Sequence, residues 1–73
     1  MPTQLVMDHS GHSTHSFEAG DRLSVEAAEK RFTELTGKGF TAAAIRGNGQ
    51  NEVIRKFDPT VEETLFIPRY QGG

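Results

Sequence analysis

The apolar positions of this chain fall in short clusters whose spacing changes from two, to three and four, and back to two. Gln4 to Asp8, QLVMD, is an apolar run behind a proline. It is too short for a helix and predicts an opening strand. The next stretch, DHSGHSTHS, is dense in Ser, Gly and His, so its centre is expected to turn. STHSFE then resumes with the alternation of a second, half-buried strand, and the two strands make an N-terminal hairpin.

Ala19 to Asp21 breaks that pattern, and Ser24 stands where an N-cap would, with Glu26 placed for the positive end of a helix dipole. A helix is predicted from Val25 to Thr36. Val25, Ala28, Phe32 and Leu35 recur at intervals of three and four and form one buried stripe, while Glu26, Glu29, Lys30 and Glu34 fall on other faces. Gly37 is the expected residue just past the helix end, with Lys38 near the negative pole.

Phe40 to Arg46, FTAAAIR, has glycines on either side and reads as a strand, although three alanines are poor intrinsic strand formers. Gly47 to Asn51, GNGQN, carries an Asn-Gly turn signal. Beyond it EVIRKF sets Val53, Arg55 and Phe57 against Ile54 and Lys56, which completes a second hairpin. Asp58-Pro59 forces a turn. The run TLFIPRY is a last strand in which Phe66 and Ile67 anchor the end and Pro68, lacking an amide hydrogen, stops the ladder. The order is strand, strand, helix, strand, strand, strand: an α+β domain with one helix packed on a mixed sheet. The last strand, richest in large apolar residues, suits the sheet centre, parallel to the first strand with the helix in the crossover.

Composition narrows the function classes. At 73 residues the chain is one domain, expected over residues 1–70 with a flexible tail at 71–73, and it is too small to enclose a deep enzyme pocket. It has no cysteine, so it offers no disulfide, thiolate site or thiol nucleophile. No apolar run reaches the length of a membrane span and MPTQLVMD is not a secretory signal; a soluble, cytoplasmic protein without membrane contact is expected. The net charge is −2 with acids and bases interspersed, which argues against nucleic acid and for a protein partner.

The element order, the length and the closing EETLFIPRYQGG resemble the ubiquitin-like β-grasp family, in which an acidic residue and Thr-Leu open a central last strand that runs into a Gly-Gly tail. The layout is similar over nearly the whole chain and the sequence over about the last dozen residues. The tail, with Phe66-Ile67-Pro68 before its glycines, and SVEAA at the helix start are also similar to the sulfur carriers of molybdopterin and thiamine synthesis. The resemblance implies that the chain is not itself an enzyme and needs no cofactor. A partner activating enzyme would adenylate the Gly73 carboxylate with ATP, reading Arg69, Tyr70 and Gln71, while Gly72 passes a channel too narrow for a side chain. Glycine suits this independently, because its carboxylate has no β-carbon to obstruct attack.

Three outcomes remain open at this point. A modifier would join a target protein amine, with conjugating and deconjugating enzymes as further partners. A sulfur carrier would bear a terminal thiocarboxylate for cofactor or tRNA thiolation. A non-covalent adaptor would leave the tail inert. Arg69 and Tyr70 favour the modifier; Pro68 favours the carrier. The chain departs from the ubiquitin pattern in lacking a second tail arginine and an obvious Leu, Ile and Val surface patch; Ile45 is nearest to one but is expected in the core.

His9, His12 and His15, spaced by three, are weak zinc candidates, since a turn entering a strand does not bring all three to one side and nothing completes the set. Glu62-Glu63 reads as surface solvation before a strand, GKG as a helix stop and GNG as a hairpin turn. Phe17, Phe32, Phe40, Phe57 and Phe66 are spread along the chain as core anchors would be.

Overall fold

The computed structural model describes residues 1–46 and 50–68. Along the chain run β1 (Thr3–Asp8), β2 (Gly11–Ser16), α1 (Arg22–Gly37), β3 (Thr41–Ile45), β4 (Asn51–Val53) and β5 (Glu63–Ile67). The strands form one sheet in the order β2-β1-β5-β3-β4. β5 lies parallel to β1 and antiparallel to β3, and the two outer pairs are antiparallel hairpins. This is an α+β fold, one helix on a mixed five-stranded sheet, with the β-grasp order and the last strand in the centre as expected.

The first hairpin closes through two residues, His9 and Ser10, and Asp8 holds it: its Oδ1 accepts from the Ser10 amide (2.8 Å) and hydroxyl (2.6 Å). Those bonds favour the charged carboxylate, so Asp8 titrates below the ordinary aspartate range, the Ser10 side-chain bond being the largest cause. Asp58 repeats the device, accepting from the Thr60 amide (2.9 Å) and hydroxyl (2.6 Å), and its pKa is lowered first by the Thr60 side chain. The expected turn at Asp58-Pro59 is therefore built around the aspartate as well as the proline.

The helix begins three residues before its expected start. Asp21 is the N-cap, its backbone extended and its Oδ1 accepting from the Leu23 amide at 3.1 Å. Ser24, expected in that role, sits inside the first turn, where its hydroxyl accepts from the Glu18 amide at 2.9 Å and ties the incoming chain to the helix. The other end also moves. Gly37 is helical, Lys38 is the C-cap, and Gly39, at φ 100°, is the left-handed residue beyond it. Gly39 N–H donates to the Thr36 carbonyl and Phe40 N–H to that of Leu35, the two bonds of a Schellman closure. Leu35 and Phe40, brought together by it, both pack against the core.

The buried stripe is as the periodicity predicts, with Ala28 and Phe32 fully enclosed. They cover the sheet face formed by Gln4, Val6, Ala42, Ala44, Thr64 and Phe66, all buried. Two of the three alanines of β3, Ala42 and Ala44, find their reason here, because the helix backbone comes within 8 Å of β3 and small side chains fit beneath it. Phe66, with no exposure, meets Phe32 edge to face at 5.6 Å between centroids; Phe32 meets Phe57 at 6.0 Å, and Phe57 meets Phe17 at 5.8 Å. Phe57 reaches this cluster because β4 stops at Val53. The strand expected through Phe57 instead donates one more amide bond, Ile54 to Ala42, and turns back over the core.

Candidate functional site

The predicted reactive segment leaves from the middle of the sheet. β5 ends at Ile67, and Pro68 follows outside the ladder, as a residue without an amide hydrogen must. Gly73, Gly72, Gln71, Tyr70 and Arg69 lie outside the described residues, as does the boundary expected at residue 70 and the Gly47 to Gly49 part of the second turn. The strand anchor is divided between faces: Phe66 is fully buried under the helix, whereas Ile67 points to the opposite side and is 39% exposed. Phe66 alone holds the end of β5 in the core.

That opposite side, uncovered by the helix, was not anticipated as an apolar surface. The registers align Thr14, Leu5, Leu65, Ala43 and Val53 as one row across all five strands. Met7 and Ile67 extend it toward Pro68, and Ile45 extends it the other way beside Glu63. Ile45 is therefore not a core residue, as its size suggested. Strand alternation places Ala42 and Ala44 beneath the helix, so Ile45 must face outward, where it is half-buried among its neighbours. The signal available in the sequence was parity: once alternate alanines are assigned inward, Thr41, Ala43 and Ile45 are outward together.

The three histidines are not brought together. His12 pairs with Met7 on the open face and His15 with Gln4 on the helix side, while His9 sits in the turn. Among the described residues no group of three or more His, Cys, Asp or Glu could hold a metal ion. Glu62 and Glu63 are both exposed; Glu62 lies 3.4 Å from the N-terminal ammonium, and its carbonyl accepts from the Thr3 amide at 2.8 Å, which ties the start of β1 to the approach of β5. Among the described residues no helix is long and apolar enough to cross a membrane.

The described surface thus offers an apolar row on the open sheet face, with Glu63 at one end, next to the point where β5 ends, and no assembled acid, base or nucleophile. No protein-family model, curated protein or solved structure matches this chain.

Proposed function

We propose that this chain is a ubiquitin-like protein modifier, not itself an enzyme, whose Gly73 carboxylate is activated by a partner and joined to a target amine. The observation that supports it is the sheet order: β5 is central and parallel to β1, so the segment carrying Arg69 to Gly73 departs from a rigid, two-sided anchor. An extended tail can then enter a neighbour's active site while the domain stays outside. A carboxylate oxygen attacks the α-phosphorus of ATP and releases pyrophosphate. An enzyme thiol displaces AMP from the acyl adenylate, and the target amine displaces that thiol to leave an amide. The apolar row on the open face lies beside this exit and gives an activating enzyme a surface to grip before it reads Arg69 to Gly72.

The reading applies whether Gly73 is the last residue made or one exposed by cleavage. Its test is ATP-dependent adduct formation in extract of the source cells, followed by mass spectrometry of the linkage. Adducts should vanish on deleting Gly73 or blocking its carboxylate, and a Gly73-deleted chain that still forms them ends the proposal. A second reading, the sulfur carrier, is favoured by Pro68 directly after the Phe66-Ile67 pair. It predicts a native mass raised by about 16 Da, as oxygen is exchanged for sulfur at the activated acyl group. Partner binding that survives loss of the tail would instead mark a non-covalent adaptor.

A further inference from the structure

The chain has no cysteine, so the thioethers of Met1 and Met7 are its only oxidisable sulfur atoms. Both are exposed, but they stand in different places. Met1 precedes the first strand, whereas Met7 lies inside β1, the strand between β2 and the central β5. Val6 beside it belongs to the core, and alternation therefore turns Met7 to the open face.

Its neighbours there are set by register. The two-residue turn makes Asp8 and Gly11 a hydrogen-bonded pair, and the Phe17 amide, donating to the Pro2 carbonyl at 3.0 Å, keeps the same parity at the far end of the hairpin. Met7 and His12 are consequently a non-hydrogen-bonded pair, the kind in which facing side chains come closest, with Cβ atoms about 4.5–5.5 Å apart. On the other flank the parallel register, with Val6 opposite Phe66, brings Met7 level with Ile67, the last residue of β5. One sulfur atom thus stands between a hydrogen-bond donor and the end of the apolar row.

A thioether is a weak acceptor, whereas a sulfoxide is polar and its oxygen accepts readily. In the core that change would disrupt packing. On the open face the new oxygen meets water and the His12 imidazole, which keeps an N–H to donate in either tautomer.

We propose that Met7 is a reversible oxidation site for hydrogen peroxide, at which His12 holds the sulfoxide and the open face turns polar beside the end of β5 while the domain stays folded. A sulfur lone pair attacks one peroxide oxygen and the O–O bond breaks. The hydroxide released takes the proton from the new S–OH group and leaves as water, so sulfur loses two electrons and peroxide is reduced. A thiol-dependent reductase reverses the step: two thiols become a disulfide and the oxygen departs as water. The sulfoxide sulfur is a stereocentre, and a donor fixed on one side of it, meeting the oxygen as it arrives, favours one epimer. Neither the oxidation nor its readout depends on the chemistry of Gly73, and loss of conjugation would leave the inference standing.

The test is treatment of the full chain with dilute hydrogen peroxide, followed by peptide mass mapping and NMR. Both methionines should gain about 16 Da, Met7 at a rate within about tenfold of that of Met1, with the far-ultraviolet circular dichroism retained. Amide shifts at His12 and Ile67 are expected, and Met7→Leu should abolish them. The two epimers are told apart by the two sulfoxide reductases, each of which accepts one. Met1 should give nearly equal amounts, and Met7 a ratio of about twofold or more that falls to equality in His12→Ala, an exposed position. The proposal is overturned if Met7 stays reduced while Met1 is oxidised, if its oxidation unfolds the domain, if its epimers form equally in the unaltered chain, or if the reductases do not restore the starting spectrum.

Discussion

Both faces of the sheet carry a row of apolar residues, yet the two rows are built from different residues. Under the helix stand Ala42, Ala44, Val6 and Phe66 with Gln4 and Thr64, nearly devoid of solvent contact. On the open side Leu5, Ala43, Ile45 and Leu65 are half-buried, and Met7, Val53 and Ile67 are exposed at 42%, 63% and 39%. A one-sided sheet ordinarily alternates apolar inside with polar outside. Here side-chain size does more of the sorting than polarity: the helix demands alanines beneath it, and the larger isoleucine of β3 is left outside. The covered face is constrained by packing, whereas the open face retains apolar residues that the fold itself needs much less.

The sharpest way to break this comparison is a neighbouring pair on β5. Phe66→Ala should cost about 3–5 kcal/mol, enough to unfold much of so small a domain, whereas Leu65→Ala should cost roughly 1 kcal/mol. Urea unfolding followed by circular dichroism checks both, and equal losses would mean that the two faces are energetically alike. Next comes Gln4→Ala, which strips the buried Ala28 carbonyl of its side-chain partner and releases Arg31, for an expected loss of about 1–3 kcal/mol by the same assay. Asp21→Ala removes the N-cap of the covering helix and should cost about 1 kcal/mol, more than Ser24→Ala does. If the order reverses, Ser24 governs the helix start after all. Val53→Thr, on the open face, should change stability by no more than about 0.5 kcal/mol.

The smallest effect belongs to acid. Asp8 and Asp58 hold their turns as carboxylates, and their folded pKa values lie below the unfolded ones. Their contribution is complete above the ordinary aspartate pKa of about 3.9 and is lost as pH falls through the depressed folded values. Asp8→Asn and Asp58→Asn together should flatten the acid limb of a stability-against-pH curve measured by thermal melting. Both groups lie in turns outside the covered face, so the midpoint at neutral pH should move only slightly.

Much of this architecture was legible because it rests on periodicity. The helix stripe, the position of β5 and the parallel pairing with β1 follow from where large apolar residues recur and from the crossover that the helix provides. What escaped prediction rests on choices between chemically similar neighbours. Asp21 and Ser24 are both good caps, and Leu23, 76% exposed, gave no sign that the helix had already begun. Gly37 and Gly39 are both plausible helix stops, and only the Schellman pairing of Leu35 with Phe40 selects the second. EVIRKF alternates like a strand, but Phe57 gains more by joining Phe17 and Phe32 than by continuing the ladder. Gln4 carried no sequence signal, since its burial depends on Ala28 and Arg31, more than twenty residues away. Of the candidate site, the open sheet face was legible only through strand parity at Ile45, and the expectation at Arg69 to Gly73 lies outside the described residues.

The central place of β5 also bears on how the protein is made. Without Glu63 to Ile67, the sheet is two hairpins with nothing between them, β2-β1 on one side and β3-β4 on the other. Synthesis proceeds at about 5–20 residues per second, and until β5 has been made the nascent chain holds a helix with no continuous surface to cover. The core therefore closes only once Glu63 to Ile67 are available, and a product truncated before them lacks the strand that joins the two hairpins.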